Sequence, residues 1–300
     1  MENLISSIGH CVKSNSGFHV SDPNRPDKTP EDKVHDAVRL IKSAAAMHNY
    51  TVAFSGGKDS VMLDFLCKEA NIHAPLVYNV STIDPPHTIA FCQRRGAIIN
   101  RPQQTFLDLI RRKGWPSMFA RFCCAYFKER YIADYLMVGV RRDESVRRSK
   151  RYQEPEVCRL YPGKLKSVQL LPLLDFTADD IAWLTAKHSI EHHPNYYDAE
   201  GLFRPERRLG CIGCPLKYDR GVADFHQYPR MFRQWVRAFL DFSNAHGRDT
   251  TDTCWRILHY LFYSKNNHAK YTQIHDGLFN YDPRDILKQH FPDTRLDDLF

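Results

Sequence analysis

Short apolar strand patterns alternate with amphipathic helix patterns along most of the chain, and this alternation limits the fold more than any other feature. Strands are predicted at residues 51–54, 75–80, 97–100, 136–140 and 168–174. Helices are predicted between them at residues 87–95 and 105–113, and also from the cap residues Thr29 and Thr177. Strands separated by helices favour an α/β fold, in which a twisted parallel sheet is flanked by helices.

The two ends of the chain differ from this middle part. Residues 1–28 are polar and show little periodicity. Beyond residue 222 only helical patterns occur, at residues 223–243, 251–263 and 283–290. We therefore predict three parts: a polar lead-in over residues 1–28, an α/β domain over residues 29–222, and a helical C-terminal part over residues 223–300.

The composition excludes several classes of protein. With 43% hydrophobic and 12% aromatic residues, the 300-residue chain can bury a core, which excludes disordered and fibrous proteins. No apolar run approaches the roughly 20 residues that span a bilayer, so no membrane association is expected. The first residues lack a basic start followed by an apolar stretch, so we expect a cytoplasmic protein without a secretory signal. The net charge of +7 favours polyanionic partners such as nucleotides or nucleic acid.

A glycine-rich turn follows the first predicted strand. Its sequence is Ser55-Gly56-Gly57-Lys58-Asp59-Ser60, and an amphipathic helix pattern comes directly after it. Glycines let the backbone approach a ligand closely, and the unpaired N–H groups of a helix start bind anions. The turn lacks the spacing of a nucleoside-triphosphate P-loop and that of a dinucleotide fingerprint.

The turn resembles the PP-loop, Ser-Gly-Gly-x-Asp-Ser, of the ATP pyrophosphatase superfamily. This resemblance implies an adenine nucleotide α-hydrolase-like sheet, so that residues 29–222 would be a nucleotide-binding domain. It also implies that ATP with Mg²⁺ is cleaved between its α and β phosphates, with AMP transferred to an acceptor oxygen. Ser55, Gly56 and Gly57 would then bind the nucleotide, and Lys58, Asp59 and Ser60 would both bind it and act in catalysis.

Two cysteine pairs are candidates for a metal site. Cys123 and Cys124 are adjacent, and Cys211 and Cys214 form a Cys-x-x-Cys pattern with Gly213 between them. Four thiolates can hold a zinc ion or a 4Fe-4S cluster, and the spacing leaves both open. The total of nine cysteines is odd, which agrees with thiols and metal ligands in a reducing compartment rather than with a full set of disulfides.

The order of these motifs resembles that of the adenylylsulfate and phosphoadenylylsulfate reductase family. A Cys-Cys pair and a later Cys-x-x-Cys pair follow the PP-loop, and in cluster-bearing members these four cysteines hold one 4Fe-4S cluster. Residues 139–145 resemble the Gly-x-Arg-x-x-Glu-Ser loop of the family, which implies that Gly139, Arg141 and Glu144 help to bind the nucleotide. Residues 171–180 resemble a further family segment, and residues 82–88 resemble another loosely.

One departure from this family bears on function. Its reductases carry a nucleophilic cysteine in a Glu-Cys-Gly-Leu-His tail, whereas this sequence ends in Arg295-Leu296-Asp297-Asp298-Leu299-Phe300. Cys254 lies in an apolar helical pattern and is predicted to be core. Relatives that combine a PP-loop with a cluster transfer sulfur to tRNA or into the DNA backbone.

We therefore expect an ATP-dependent sulfur-transfer enzyme that acts on nucleic acid, with DNA phosphorothioation ahead of tRNA thiolation. A cysteine desulfurase or another persulfide donor would be its partner. Two alternatives are a sulfonucleotide reductase and a non-catalytic cluster-bearing subunit that binds nucleotide.

Basic and aromatic stretches flank the proposed site. The basic ones are Arg141, Arg142, Arg147, Arg148, Lys150 and Arg151, and then Arg204, Arg207 and Arg208. Binding of phosphates and solvated loop charge are equally compatible with them. Tyr196, Tyr197 and Phe203 could stack on bases, but core or loop-anchoring positions are favoured. His192 and His193 are predicted to occupy a solvent-facing turn rather than to bind a metal.

Overall fold

The computed structural model describes residues 28–129, 133–160, 166–262 and 282–300, so nearly all of the predicted lead-in lies outside the described residues. The described strands are β1 (Thr51–Ala53), β2 (Leu76–Asn79), β3 (Ile98–Asn100), β4 (Tyr135–Met137), β5 (Glu156–Leu160) and β6 (Lys166–Leu170). The described helices are α1 (Pro30–Met47), α2 (Lys58–Glu69), α3 (Thr88–Arg94), α4 (Phe106–Lys113), α5 (Val146–Arg151), α6 (Ala178–His188), α7 (Val222–Gln227), α8 (Pro229–Ala245), α9 (Thr250–Phe262) and α10 (Pro283–His290).

The six strands form one sheet in the order β3-β2-β1-β4-β6-β5. All neighbouring pairs are parallel except β5 and β6, which are antiparallel. Val52 of β1 is in register with Leu76 on one side and with Met137 on the other. The strand order reverses between β1 and β4, and in such sheets ligands bind beyond the carboxyl ends of the strands at this point. The predicted α/β fold with a mostly parallel sheet is confirmed.

The edge strand β5 was not predicted from the sequence. Its residues alternate between exposed and half-buried positions, and it carries the charged residues Glu156 and Arg159. An edge strand packs against a neighbour on only one side, so it lacks the continuous apolar run of the central parallel strands. The next strand, β6, ends earlier than predicted, because the chain turns after Leu170 and the Leu174 N–H donates to the Leu171 carbonyl at 3.1 Å.

Two apolar cores support the structure. The first fills the space between the sheet and its helices, with Val52, Leu63 and Phe91 fully buried. The second joins residues 83–127 to the helices beyond residue 222 through Trp115, Trp235 and their aromatic neighbours. The helical C-terminal part therefore shares a core with the α/β part. Cys254 is completely buried in this second core, as predicted.

The predicted helix over residues 223–243 is interrupted. The chain forms α7 and α8 instead, with Tyr228 between them in a non-helical conformation. Pro229 begins α8, because proline has no N–H to continue α7 and is well suited to the first helical position. In the described part of the chain, no helix combines the length and the apolar character that crossing a bilayer would require.

Candidate nucleotide site and cysteine group

The glycine-rich turn connects β1 to α2 at the carboxyl edge of the sheet, as predicted. Gly56 has a φ of +72°, which glycine adopts at no steric cost. The Ser60 hydroxyl donates to the Gly57 carbonyl at 2.8 Å and accepts the Ser55 N–H at 3.2 Å. These contacts fix the turn at the start of α2.

Lys58 places a buried cation in this turn. Its side chain is 7% exposed, and its Nζ lies 3.7 Å from the Asp59 Oδ2. Burial lowers the pKa of Lys58, and the Asp59 carboxylate opposes that shift. The Lys58 backbone N–H donates to the Tyr196 hydroxyl at 3.1 Å.

The predicted nucleotide-binding loop at residues 139–145 packs directly on the turn. Arg141 Nε donates to Asp59 Oδ1 at 2.7 Å, and Arg141 Nη1 donates to Asp143 at 3.0 Å. A Cβ at Gly139 would lie 2.9 Å from the Asp59 carbonyl oxygen, so only glycine permits this approach. Glu144 accepts the Arg141 N–H at 3.3 Å and pairs with Arg148. The structure therefore brings these loop residues against the turn, and Asp59 holds Arg141.

Four cations converge on the turn. The pKa of Arg148 is lowered mainly by burial and also by the positive charges of Arg208 and Arg141. The same two arginines lower the pKa of Lys58. Asp59, Asp143 and Glu144 pair with cations of this group, so four cations face three carboxylates and leave an excess of one positive charge. Such an excess attracts an anion. The arrangement is chemically suited to an anionic ligand.

A cavity of about 200 Å³ lies between the turn and the second cysteine pair. The carboxyl ends of β1 and β2 form its floor, and Ser55 and Cys211 both contribute to its wall. Its other lining residues include Phe54, Tyr78, Asn79, Asp84, Thr88, Lys128 and Leu209.

The four cysteines at 123, 124, 211 and 214, the cysteine group, interact electrostatically. The hydrogen bond with Cys124, burial and the charges of the other thiols raise the pKa of Cys123. The hydrogen bond with Cys123 in turn lowers the pKa of Cys124 to about 5. The four thiols therefore lie close enough to influence one another's pKa values. Within the described residues, no three His, Cys, Asp or Glu side chains are arranged to hold a metal ion.

The Cys211–Cys214 segment is held by close backbone packing. Gly213 has a φ of +70°, and a Cβ there would lie 2.3 Å from the Phe225 ring. Gly221 packs on Gly213, with only 2.4 Å between its would-be Cβ and the Gly213 Cα. The Gly213 N–H donates to Asp224 at 2.8 Å. The second core therefore supports this segment directly.

Sequence reasoning missed three polar residues beside the cysteine group. The Cys211 thiol donates to the Ser81 hydroxyl at 3.4 Å, and that hydroxyl donates to Asp84 at 2.8 Å. Lys128 lines the cavity, and the negative charge that Cys211 carries when deprotonated raises the pKa of Lys128. Lys128 is exposed to solvent. Asp84 lies at residues 82–88, the stretch that resembles a family segment loosely. That resemblance was the only feature of the sequence that pointed to Asp84.

The prediction of a solvent-facing turn at His192 and His193 is wrong. Both side chains are fully buried. Nε2 of His192 lies 2.8 Å from the Thr185 hydroxyl, and Nε2 of His193 lies 3.3 Å from the Thr88 hydroxyl. Burial lowers the pKa of His192 to about 4, so this ring is neutral at pH 7. The threonine hydroxyls compensate the burial of the two Nε2 atoms, a compensation that a single sequence does not reveal.

The remaining basic and aromatic candidates divide into two groups. Tyr196 is buried, as favoured from the sequence. Arg204 pairs with Asp198, and Arg207 donates to the Tyr197 carbonyl, so both arginines hold their own loop together. In α5, by contrast, the side chains of Arg147, Lys150 and Arg151 are exposed.

Fold and site together define an α/β protein with a glycine-rich, cation-lined turn at the carboxyl edge of the sheet and a group of four cysteines near the same cavity. The family model described as "Phosphoadenosine phosphosulfate reductase domain" matches residues 49–217, which is more than half of the chain. The chain therefore belongs to the phosphoadenosine phosphosulfate reductase domain family, and the expected resemblance is confirmed. No curated protein matches the chain.

Several solved structures are similar to this one. Phosphoadenylyl-sulfate reductase from Candida auris is 10% identical, with a TM-score of 0.39, and the match covers 56% of this chain and 90% of that one. FMN adenylyltransferase from Candida glabrata is 14% identical, with a TM-score of 0.39 and coverage of 70% and 69%. NMN synthetase from Francisella tularensis is 11% identical, with a TM-score of 0.36 and coverage of 80% and 96%.

Proposed function

We propose that this protein is an ATP pyrophosphatase that adenylates an acceptor for sulfur transfer onto nucleic acid, with DNA ahead of tRNA. One observation carries the proposal: the glycine-rich turn and the cysteine group adjoin the same cavity, since Ser55 and Cys211 both line it. Nucleotide activation and sulfur chemistry would therefore occur side by side.

The nucleotide step uses the residues of the turn. The start of α2 and the four cations Lys58, Arg141, Arg148 and Arg208 would bind the β and γ phosphates of ATP with Mg²⁺. An acceptor oxygen then attacks the α phosphate, and pyrophosphate leaves. Catalysis of this kind depends mainly on positioning and charge stabilisation, which the buried residues Lys58 and Arg141 would supply together with the more accessible Arg148 and Arg208.

We propose that the cysteine group holds a 4Fe-4S cluster, which the order of the two cysteine pairs after the glycine-rich turn supports. Within the described residues the thiols are not arranged to hold a metal ion, although they are near enough to influence one another's pKa values. In a four-iron cluster each thiolate binds a different iron, so the sulfurs are spread around the cluster. The ligands would be Cys123, Cys124, Cys211 and Cys214. When bound, the cluster would supply sulfur or electrons next to the nucleotide.

The sulfur step completes the proposed reaction. A sulfur nucleophile from a persulfide donor, such as a cysteine desulfurase, attacks the adenylated acceptor. AMP leaves and carries the acceptor oxygen with it, so sulfur replaces that oxygen. The adenylate is a far better leaving group than a free oxygen, which is why ATP is consumed.

The choice of nucleic acid depends on α5. Its exposed residues Arg147, Lys150 and Arg151 continue from Arg148, which lies among the cations of the turn. Such cations hold backbone phosphates. A phosphate held there can present an oxygen to the cavity, whereas a tRNA base would first have to be extracted from its stack. This difference favours the DNA backbone as acceptor.

A sulfonucleotide reductase is the second candidate, because the family match is to a reductase domain. That reaction needs a free thiol nucleophile. Among the described cysteines outside the cysteine group, Cys67, Cys92 and Cys254 are buried in apolar cores, and Cys158 lies on the edge strand β5. Cys158 is exposed, so the reductase mechanism would need either this edge-strand thiol or one from outside the described residues.

The test combines the full chain with ATP, Mg²⁺, a cysteine desulfurase, ³⁵S-cysteine and either DNA or tRNA. We expect AMP, pyrophosphate and ³⁵S in the digested nucleic acid. Asp59→Ala or Ser60→Ala should abolish all three, while Ser189→Ala at the far end of α6 should leave them unchanged. ADP and phosphate as products would contradict the proposal. Reduction of a sulfonucleotide to sulfite, with no sulfur in nucleic acid, would support the reductase instead.

A further inference from the structure

The Tyr196 hydroxyl occupies an unusual position at the start of α2. It accepts the backbone N–H of Lys58 at 3.1 Å and the backbone N–H of Leu209 at 3.2 Å. The side chain is 2% exposed, so these contacts are shielded from bulk water. In an anion-binding helix start, the first N–H groups usually point at the ligand. Here one of these N–H groups, that of Lys58, donates to the Tyr196 hydroxyl instead.

The two accepted bonds determine what the hydroxyl can do next. A phenol can accept hydrogen bonds and donate one through its own proton. Both contacts of Tyr196 within the described residues use the oxygen as acceptor, so its proton has no protein acceptor there. Burial raises the pKa of Tyr196 to about 12, so the proton stays in place at neutral pH.

The surroundings leave this proton access to the turn. The hydroxyl lies beside the turn, since a Cβ at Gly57 would lie 3.5 Å from the Tyr196 oxygen. The Lys58 ammonium lies 5.6 Å from the centre of the Tyr196 ring. An anion attracted by Lys58 would therefore lie near the hydroxyl as well.

We propose that Tyr196 is a phosphate-binding residue, whose hydroxyl receives the Lys58 and Leu209 N–H groups and donates its proton to a phosphate oxygen on the glycine-rich turn. This inference rests on the proposed ATP site. Because Leu209 lies two residues before Cys211, the same hydroxyl also joins the nucleotide turn to the segment that carries the second cysteine pair.

The experiment compares three full-length proteins purified without oxygen: the wild type, Tyr196→Phe and Tyr197→Phe. The Tyr197 hydroxyl also accepts a backbone N–H, from His192 at 3.1 Å, but it does not contact the turn, so Tyr197→Phe is the matched control. Calorimetry measures binding of ATP, of inorganic pyrophosphate with Mg²⁺, and of adenosine, which has no phosphate.

We expect Tyr196→Phe to lower the affinity for ATP and for pyrophosphate at least tenfold. The affinity for adenosine should stay within twofold of the wild-type value. Tyr197→Phe should leave all three unchanged. Wild-type affinity for pyrophosphate in Tyr196→Phe would overturn the inference and leave the proposed function standing. Equal losses for adenosine and pyrophosphate would also overturn it, because they would indicate a purely structural role. A wild-type chain that binds neither ATP nor pyrophosphate would refute the proposed function together with this inference.

Discussion

Replacing Gly221 by alanine tests whether backbone packing holds the second cysteine pair in place. Gly221 has a φ of +83°, and its added Cβ would lie 2.4 Å from the Gly213 Cα and 3.0 Å from the Cys214 nitrogen. These are backbone atoms, so the clash is relieved only if the Cys211–Cys214 segment moves. The substitution therefore disturbs the cysteine group without removing a thiol.

The size of the effect follows from two costs. A left-handed conformation costs a residue with a Cβ about 1–2 kcal/mol. Overpacking in a fixed environment adds about 1–3 kcal/mol, which gives a total of about 2–5 kcal/mol. Gly201→Ala is the matched control, because Gly201 has a φ of +78° and no atom lies within 4 Å of its added Cβ. The control carries only the conformational cost.

Urea unfolding and iron content per chain measure the outcome. We expect Gly221→Ala to unfold at clearly lower urea than Gly201→Ala and to retain less iron after anaerobic purification. Equal unfolding midpoints and equal iron in the two variants would refute the argument that this glycine contact positions the cysteines.

Three further predictions follow from the described contacts. Charge reversal at the exposed residues Arg147 and Arg151 should weaken nucleic-acid binding and make it less dependent on salt, because binding then neutralises fewer phosphates and releases fewer counterions. The affinity for ATP, measured in parallel, should stay within twofold of the wild-type value. Stability should fall by about 3 kcal/mol as the pH drops from 6.5 toward 4, because the unfolded chain protonates His192 at about 6.5 and the folded chain only at about 4; urea titrations of wild type and His192→Gln should show a shallower pH slope in the variant. Protein purified without oxygen should be brown and contain iron if it holds a 4Fe-4S cluster. Replacing any member of the cysteine group by serine should remove the colour and the iron, whereas Cys254→Ser should keep both, since Cys254 lies in the apolar core.

The parts of the site that the sequence predicted are local ones. The Ser55–Ser60 motif begins two residues after β1 ends at Ala53 and runs into α2, which begins at Lys58, so its glycines and serines identify it directly. The residues at 139–145 were found in the same way, because their loop follows a strand. The strand and helix alternation predicted the parallel sheet for the same reason: each element is encoded by its own periodicity.

The parts that the sequence did not predict depend on distant contacts. Tyr196 lies 138 residues from Lys58, and nothing in its neighbourhood indicates that its hydroxyl reaches the start of α2. The burial of His192 depends on Thr185 and on a stacked ring from Phe203. Lys128 could not be identified as a site residue from the sequence, because its proximity to Cys211 arises only in the folded chain. Such contacts are properties of the assembled fold rather than of any short segment.

The most direct measurement of the central claim follows the acceptor oxygen. DNA whose backbone phosphate oxygens carry ¹⁸O is incubated with the full chain, ATP, Mg²⁺, a cysteine desulfurase and cysteine, and the nucleotide products are analysed by mass spectrometry. If the acceptor oxygen attacks the α phosphate and leaves with AMP when sulfur replaces it, the released AMP contains ¹⁸O and the DNA contains sulfur. AMP without the label, or ADP in its place, would contradict the proposed adenylation of the DNA backbone.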